Sequence, residues 1–308
     1  MTDLSNAIFH NEDKARAHLE AIRWPNGPFC PHCGEAEQVH RLEGEKHRPG
    51  LFYCRSCRGQ FSVTVGTVAE RSHVPVHKWL LAFHLIIASK KGMSAHQLSR
   101  LLDVSYKTGW FIGHRVREAM KDEKAGPIGG QNRVFESDET LIGGKKKNRA
   151  YAKKEPKKQT VLTLVDRDGE SRSFHIANVK AKTLREAIVK TVDRRSHLMT
   201  DELRSYSPIG QKNFDSRHTT VNHSANEYVR LGGFAHVNTA ECRFSLMKRA
   251  VFGTHHSVSE AHLHRYLVEW DFKFNNRKIG DDARAYKAIK GIEGKRLTYR
   301  RPDNTTHA

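Results

Sequence analysis

The stretch RVFESDETLIGGKKK, residues 133–147, joins a predicted strand to a pair of acids at its end and to the start of a lysine-rich run. Two further strand-like segments follow, QTVLTLVDRDG (159–169) and SRSFHIANV (171–179), and DRDG is typical of a hairpin turn between them. Helix and strand patterns then alternate, with KTLREAIVKTVDR (182–194) predicted as a helix and SHLMTDE (196–202) as a strand. Three strands followed by this alternation indicate an α/β domain with a mixed sheet.

Helical patterns flank the predicted sheet on both sides in the sequence. Before it, a helix is predicted over 75–91 and two shorter helices over 94–119, where Ser94 and Ser105 are typical N-caps. KAGPIGGQN (124–132) is typical of a linker. After the sheet, the segment AECRFSLMKRAV (240–251) and a long segment with a capping box at Ser257–Glu260 predict two more helices. The whole chain is therefore expected to be of the α+β or α/β class.

The composition limits the kinds of partner. The 308 residues carry 53 Lys and Arg against 34 Asp and Glu, a formal net charge of +19. Such an excess favours a nucleic acid or an anionic membrane over a small metabolite. The longest apolar run, WLLAFHLIIA (79–88), is shorter than the roughly 18 apolar residues that span a bilayer, and the first residues lack the pattern of a secretion signal. We therefore expect a cytoplasmic protein with no membrane partner.

Four of the five cysteines form two Cys-x2-Cys pairs, CPHC (30–33) and CRSC (54–57). Each pair presents two thiolates on one tight turn, and two such turns make the tetrahedral four-sulfur site that Zn²⁺ prefers. Cys30, Cys33, Cys54 and Cys57 are therefore predicted to hold one structural zinc, with no open position for a substrate. Thiol redox chemistry is the alternative. Cys242 stands alone in a predicted helix, where it is expected to be a small packed residue.

The two short helices over 94–119 have the proportions of a helix-turn-helix unit. In such units the early residues of the second helix reach base edges and the basic ones hold phosphates, so the predicted DNA contacts are Tyr106, Lys107 and Arg115. A plain helical hairpin is the alternative on the pattern alone. The neighbouring zinc module and the net charge favour the DNA-binding interpretation.

Three acids stand where a metal site can form: Asp138 and Asp201 end strands, and Glu241 lies in the first turn of a helix. Carboxylates from two strands and a helix suit Mg²⁺ or Mn²⁺, and two such ions can activate an attacking oxygen and stabilise a leaving one. Lys248 follows Glu241 by two helical turns on the same face, within reach of a phosphate. The alternative is that strand-end acids are solvated or cap helices. Five more acids compete for the assignment, the last two being explained by a turn: Glu136, Glu139, Glu202, Asp166 and Asp168.

The lysine-rich run begins directly after the first of these acids. Charged runs are usually solvated loops, which is the alternative here. Its position beside a predicted metal ligand favours a contact with the same DNA, so Lys145, Lys146 and Lys147 are predicted to bind the DNA backbone.

Several segments resemble the DDE transposases of bacterial insertion sequences, in the ISXO-like group that carries an N-terminal zinc ribbon. The similar segments cover nearly the whole chain: RWPNGPFCPHCG (23–34), VSYKTGWFIGHRVREAM (104–120), SDETLIGGKKK (137–147), TDELRSY (200–206) and HVNTAECRFSLMKRAVFGTHHSVSEAHLHRYLVEW (236–270). The resemblance implies a ribonuclease-H-like catalytic domain whose metal ligands are Asp138, Asp201 and Glu241, with Lys248 as the lysine that follows them. Some relatives use asparagine as the third ligand, which leaves Asn238 as an alternative to Glu241.

The resemblance also implies a function. The expected domains are a zinc ribbon with a leading helix (1–68), a helix-turn-helix region (69–125), a DDE catalytic domain (130–285) and a basic tail (286–308). The chain would be an insertion-sequence transposase that binds element ends, frees a 3′-hydroxyl and joins it to target DNA, with a structural zinc and two magnesium or manganese ions. Its partners would be double-stranded DNA, as element ends and target, and further copies of itself pairing those ends. The alternatives are a non-catalytic DNA-binding regulator and a structure-selective nuclease on the same fold.

Overall fold

The computed structural model describes residues 3–143, 157–214 and 217–298, and these form two compact units. The first unit contains residues 3–121 and 277–298, so it is built from two separate pieces of the chain. The second unit contains the described part of 122–276. No helix within the described ranges has both the length and the apolar composition needed to cross a membrane.

The beginning of the first unit is a helix followed by a small three-stranded sheet. The helix α1 (Glu12–Arg23) starts at Asn11, whose side chain accepts a hydrogen bond from the backbone N–H of Lys14 at 2.9 Å. The strands β1, β2 and β3 are antiparallel in that order and span Val39–Arg41, Leu51–Cys54 and Gln60–Ser62. Trp24 packs edge-on against Phe52 and Phe61, which stack on each other, so aromatic rings supply the core that so short a sheet needs.

Four further helices complete the first unit, and α2 lies against α9: α2 (Val76–Ala88), α3 (Ala95–Leu102), α4 (Tyr106–Ala119) and α9 (Asp281–Lys290). The two short helices predicted over 94–119 are present as α3 and α4, capped by the side chains of Ser94 and Ser105. A Cβ on Gly109 would lie 2.9 Å from the Cβ of Ser99, so glycine permits the close approach of α3 and α4.

The helix α9 corrects the expected chain division. Bounds of 130–285 for the catalytic domain and 286–308 for the tail would cut α9 in two, whereas the structure packs α9 on α2 in the first unit. The reason lies in α2, which is apolar nearly all round and buries Val76, Trp79, Phe83 and Ile87 among others. Such a helix needs neighbours on every side, and α9 supplies one of them.

The second unit contains a five-stranded mixed sheet, as the sequence predicts. Its strand order is β6-β5-β4-β7-β8, in which the pairs β6–β5 and β5–β4 are antiparallel and the pairs β4–β7 and β7–β8 are parallel. The strands are β4 (Val134–Ile142), β5 (Gln159–Asp166), β6 (Ser171–Ile176), β7 (His197–Thr200) and β8 (His218–Thr220). Three antiparallel strands extended by two parallel ones are the arrangement expected of a ribonuclease-H-like domain, so the predicted fold class is confirmed.

Helices cover both faces of this sheet: α5 (Ala181–Thr191), α6 (Ser207–Asn213), α7 (Asn238–Ala250) and α8 (Glu260–Asn275). Alternate residues of a strand point to opposite faces. Leu162 and Leu164 of β5 accordingly pack in the cluster that contains residues of α5 and α6, whereas Val161 packs with residues of α7 and α8. The helix α8 begins after Ser259, so the predicted start at a Ser257 capping box is wrong by two residues.

Candidate active site and metal centre

The four paired cysteines converge on one point. Their sulfur atoms all lie within 4.8 Å of one another, with 3.6 Å between Cys30 and Cys57 and 3.7 Å between Cys33 and Cys54. Four sulfurs at the usual Zn–S distance of about 2.3 Å on a tetrahedron are about 3.8 Å apart, so this spacing fits zinc. The predicted cysteine cluster is confirmed.

The three predicted carboxylates come from two neighbouring strands and one helix. Asp138 lies in the middle of β4, so the prediction that it ends a strand is wrong. Asp201 directly follows β7, and Glu241 lies in the first turn of α7, as predicted. The pKa of Asp138 is raised to about 7, chiefly by burial and also by the charges of Glu139, Asp201 and Glu241, against a hydrogen bond from the backbone of Glu139. Burial also raises the pKa of Asp201. The three acids are therefore close enough to repel one another.

These acids converge without closing into a compact ligand set. Over the described ranges, the cysteine cluster alone brings three or more ligand atoms within 4.8 Å of one another. The carboxylates nevertheless fit Mg²⁺ or Mn²⁺, since they offer hard oxygen donors and a half-buried concentration of negative charge that a divalent cation would relieve. Lys248 is exposed two turns after Glu241 on α7, and Asn238 is exposed in the first turn of the same helix.

A histidine that sequence reasoning missed lies against this group. Nδ1 of His223 is 3.7 Å from Oε1 of Glu241, and the histidine charge lowers the pKa of Asp201. Glu202 fixes the short turn that carries it, accepting hydrogen bonds from the backbone N–H groups of His223 at 2.9 Å and Ser224 at 3.1 Å. The segment is irregular and polar, so no periodic pattern in the sequence points to His223.

The remaining competing acids have structural partners. Glu139 points to the face of β4 opposite Asp138 and accepts a hydrogen bond from the buried Tyr206 hydroxyl at 2.5 Å. Asp166 accepts one from Nε of Arg133 at 2.9 Å, and its side chain also holds the backbone N–H of Asp168 at 3.1 Å in the predicted turn. Glu136 is fully buried and accepts hydrogen bonds from Arg167, Thr239 and Ala240.

The predicted DNA contacts on α4 divide into two kinds. Tyr106 and Lys107 are exposed at the start of α4, and Tyr106 stacks on His96 with ring centroids 4.2 Å apart. The prediction for Arg115 is corrected, because this side chain is only 8% exposed, donates to the carbonyl of Glu70 at 3.2 Å and lies over the ring of Phe111. It is a core residue of the first unit.

Two further predictions concern the lysine-rich run and Cys242. Lys145, Lys146 and Lys147 lie outside the described residues, and their contact with DNA stays a prediction. Cys242 is exposed, so the expectation that it is a small packed residue is wrong.

The raised pKa of Asp138 predicts that the zinc-loaded chain, kept free of Mg²⁺ and Mn²⁺, loses stability as the pH rises. The unfolded carboxyl titrates near 3.8 and the folded one near 7, so the folded state binds the extra proton and its advantage is lost between those values. A difference of one pKa unit corresponds to about 1.4 kcal/mol, so roughly three units set an upper limit of about 4 kcal/mol. Solvent screening at the partly exposed carboxyl lowers the expected loss to on the order of 2–3 kcal/mol by pH 8.

Asp138→Asn, which cannot ionise, should remove much of this loss and make the variant more stable than the wild type at pH 8. Urea unfolding followed from pH 4 to pH 8 measures it. The slope should shrink rather than vanish, since burial also raises the pKa values of Asp201 and Glu139. Identical pH profiles for the two proteins would contradict the burial of an ionisable Asp138.

The chain is similar in sequence to two family models and to a relative from Halobacterium salinarum. A family model described as an ISXO2-like transposase domain matches residues 130–275, and one described as a transposase zinc-ribbon domain matches residues 10–60. A Halobacterium salinarum protein, described as an uncharacterized protein in transposable element ISH50, is 32% identical over 294 residues, 89% of this chain and 95% of the relative.

Two solved structures also show similarity, both at low TM-scores. They are the crystal structure of the Mos1 strand transfer complex (TM-score 0.29, 13% identity, 68% of this chain and 73% of that chain) and that of a pre-cleavage Mos1 transpososome (TM-score 0.28, 13% identity, 67% and 73%). The assignment rests on the relative and on the two family models, which match this chain in the order zinc ribbon and then transposase domain. This chain therefore belongs to the ISXO2-like transposase family, in the group with an N-terminal zinc ribbon.

Proposed function

We propose that this chain is an active DDE-type transposase, which binds the ends of its element, cleaves a DNA strand with Mg²⁺ or Mn²⁺ and joins the freed 3′ end to target DNA. The observation that carries the proposal is the convergence of Asp138, Asp201 and Glu241, in which burial, together with the charges of the neighbouring acids, raises the pKa of Asp138 to about 7. A fold that buries Asp138 near two further carboxylates bears a free-energy cost, and holding cations is the role that explains it.

Each residue has a part in this proposal. Asp138, Asp201 and Glu241 would hold two divalent ions, which when bound would activate the attacking oxygen and stabilise the leaving one. The exposed Lys248 lies on the same helix as Glu241 and would bind a phosphate beside the ions. His223, at 3.7 Å from Glu241, is a further group placed to contact the scissile DNA.

DNA binding is proposed for the first unit and for the lysine-rich run. Tyr106 and Lys107 occupy the exposed start of α4, where the second helix of a helix-turn-helix meets a groove. Lys145, Lys146 and Lys147 would bind phosphates, consistent with the net charge of +19. Pairing two element ends would require at least two copies of the chain, so we also propose a DNA-dependent oligomer.

A strand-transfer assay tests the proposal. The zinc-loaded chain is mixed with labelled DNA from the flanks of its own coding region, Mg²⁺ or Mn²⁺, and a supercoiled target plasmid. Free 3′ ends and joined products are then measured separately on a gel. We expect both, with the joined product dependent on the divalent ion. Cleavage that never leads to joining would replace the transposase with a nuclease, and bound but uncut DNA would leave a regulator.

A further inference from the structure

Glu136 is a fully buried carboxylate on β4, two residues before Asp138 and on the same face of the strand. It accepts hydrogen bonds from Nε of Arg167 at 2.7 Å, from the backbone N–H and the hydroxyl of Thr239 at 2.7 and 2.9 Å, and from the backbone N–H of Ala240 at 3.0 Å. Nδ1 of His236 lies 3.1 Å away. Five groups therefore converge on one buried acid.

This carboxylate caps α7 from outside the helix. The first N–H groups of a helix have no partner within it, and Val237, at the N-cap, has no side chain that can accept them. Glu136 accepts two of these N–H groups, those of Thr239 and Ala240, from the neighbouring strand. Its negative charge also suits the positive end of the helix dipole. The first turn of α7 is thus bonded to β4.

Arg167 extends the same attachment to the loop before α7. Besides Glu136, its guanidinium donates to the carbonyl oxygens of Phe234 at 2.6 Å and His236 at 2.8 Å. The loop and the helix start are therefore held by one ion pair, whose carboxylate is 0% exposed.

We infer that Glu136, with Arg167, is a positioning residue that sets the separation of the Asp138 and Glu241 carboxylates before any ion binds. Glu241 directly follows Ala240, which Glu136 holds, and Asp138 lies two residues beyond Glu136 on a rigid strand. One carboxylate thereby links the strand and the helix that carry two of the three acids. The inference rests on the proposed function for the role of those acids.

Glu136→Gln tests the inference, since glutamine keeps the shape but loses the charge and places an NH2 group against donors of Arg167 or Thr239. Asp166→Asn is the matched control, because Asp166 is also buried, also pairs with an arginine, and holds its own turn instead of α7. Both variants are compared with the wild type as zinc-loaded full chains. Mn²⁺ binding is titrated by calorimetry and by electron paramagnetic resonance, and folding is followed by circular dichroism and thermal unfolding.

We expect Glu136→Gln to weaken Mn²⁺ binding by about 10-fold or more, as the loss of groups that orient metal ligands does. Asp166→Asn should stay within about 2-fold of the wild type, although both variants lower the melting temperature. Thr239→Val removes the hydroxyl contact and leaves both backbone donors, so a smaller loss of Mn²⁺ affinity, about 3-fold, is expected. If Glu136→Gln does not fold, Thr239→Val carries the test alone.

Unchanged Mn²⁺ affinity in Glu136→Gln, or in Thr239→Val where that variant is the test, would overturn the inference and make Glu136 an ordinary buried ion pair. A failure of this inference can be distinguished from a failure of the proposed function. If the wild type binds Mn²⁺ and loses that binding when Asp138 is replaced, the proposed metal site stands. If Glu136→Gln then binds Mn²⁺ as tightly as the wild type, only the positioning role of Glu136 is rejected. Wild-type protein that binds no Mn²⁺ at this site would overturn both.

Discussion

Asp138→Asn should abolish strand cleavage and joining together, by on the order of 10³-fold or more, while DNA binding and folding survive. The amide keeps the size of the side chain but cannot supply the negative charge that would hold the divalent ions. Asp138 lies on the central strand β4, with its pKa raised to about 7 by burial, so the same change also relieves a repulsion and should not unfold the domain. Labelled element ends followed on a denaturing gel, with a mobility-shift assay alongside, separate chemistry from binding.

Asp168→Asn is the matched control, because Asp168 is an exposed acid in the turn after β5 and should leave activity unchanged. Asp201→Asn and Glu241→Gln should behave like Asp138→Asn. Asn238→Ala should be milder than Glu241→Gln, and the opposite order would move the third ligand to Asn238. Wild-type cleavage by Asp138→Asn would end the DDE interpretation of this site.

Cys54→Ser should remove the zinc and unfold the ribbon of the first unit while the second unit stays folded. Cys54 is fully buried at the end of β2, and its sulfur is 3.7 Å from that of Cys33, so no other ligand can take its position without moving the strand. Structural zinc contributes about 10–16 kcal/mol of apparent binding free energy in small zinc modules, more than so short a sheet can replace. Zinc analysis and hydrogen exchange over residues 39–62 measure the two effects.

Cys242→Ser is the control for this experiment, since Cys242 is an exposed thiol outside the cluster. It should retain one zinc per chain and normal protection from exchange. A purified wild-type protein without zinc, or a Cys54→Ser variant whose ribbon remains protected, would show that the four cysteines serve another purpose.

The features that the sequence predicts correctly are those encoded locally. Two Cys-x2-Cys pairs define a zinc site by their spacing, and Ser94 and Ser105 begin helices through hydrogen bonds that reach only three residues along the chain. The run of apolar and β-branched residues in β5 likewise predicts a strand from its own residues. Strand order is different, because β4 lies between β5 and β7 through contacts that no local pattern records.

The same distinction separates the site residues that were predicted from those that were missed. Asp138 and Asp201 could be identified because they stand in recognisable segments, although only Asp201 follows the end of its strand and Asp138 lies in the middle of β4. Glu136 could not, since its partner Thr239 is 103 residues away, and a buried acid looks the same in sequence as a solvated one. Arg115 fails in the opposite direction: it fits the pattern of a phosphate contact, but the carbonyl of Glu70 and the ring of Phe111 hold it in the core.

The division of the first unit between residues 3–121 and 277–298 has a consequence for biosynthesis. The ribosome makes α2 long before α9, and the residues of the second unit are all translated in the interval. The described residues of the second unit are continuous in the chain, so this unit can fold as soon as it leaves the ribosome. Part of the apolar surface of α2 stays uncovered until α9 has been synthesised. A nascent chain that stalls after residue 276 would present that surface to chaperones, and an isolated 1–125 fragment would carry the same defect permanently.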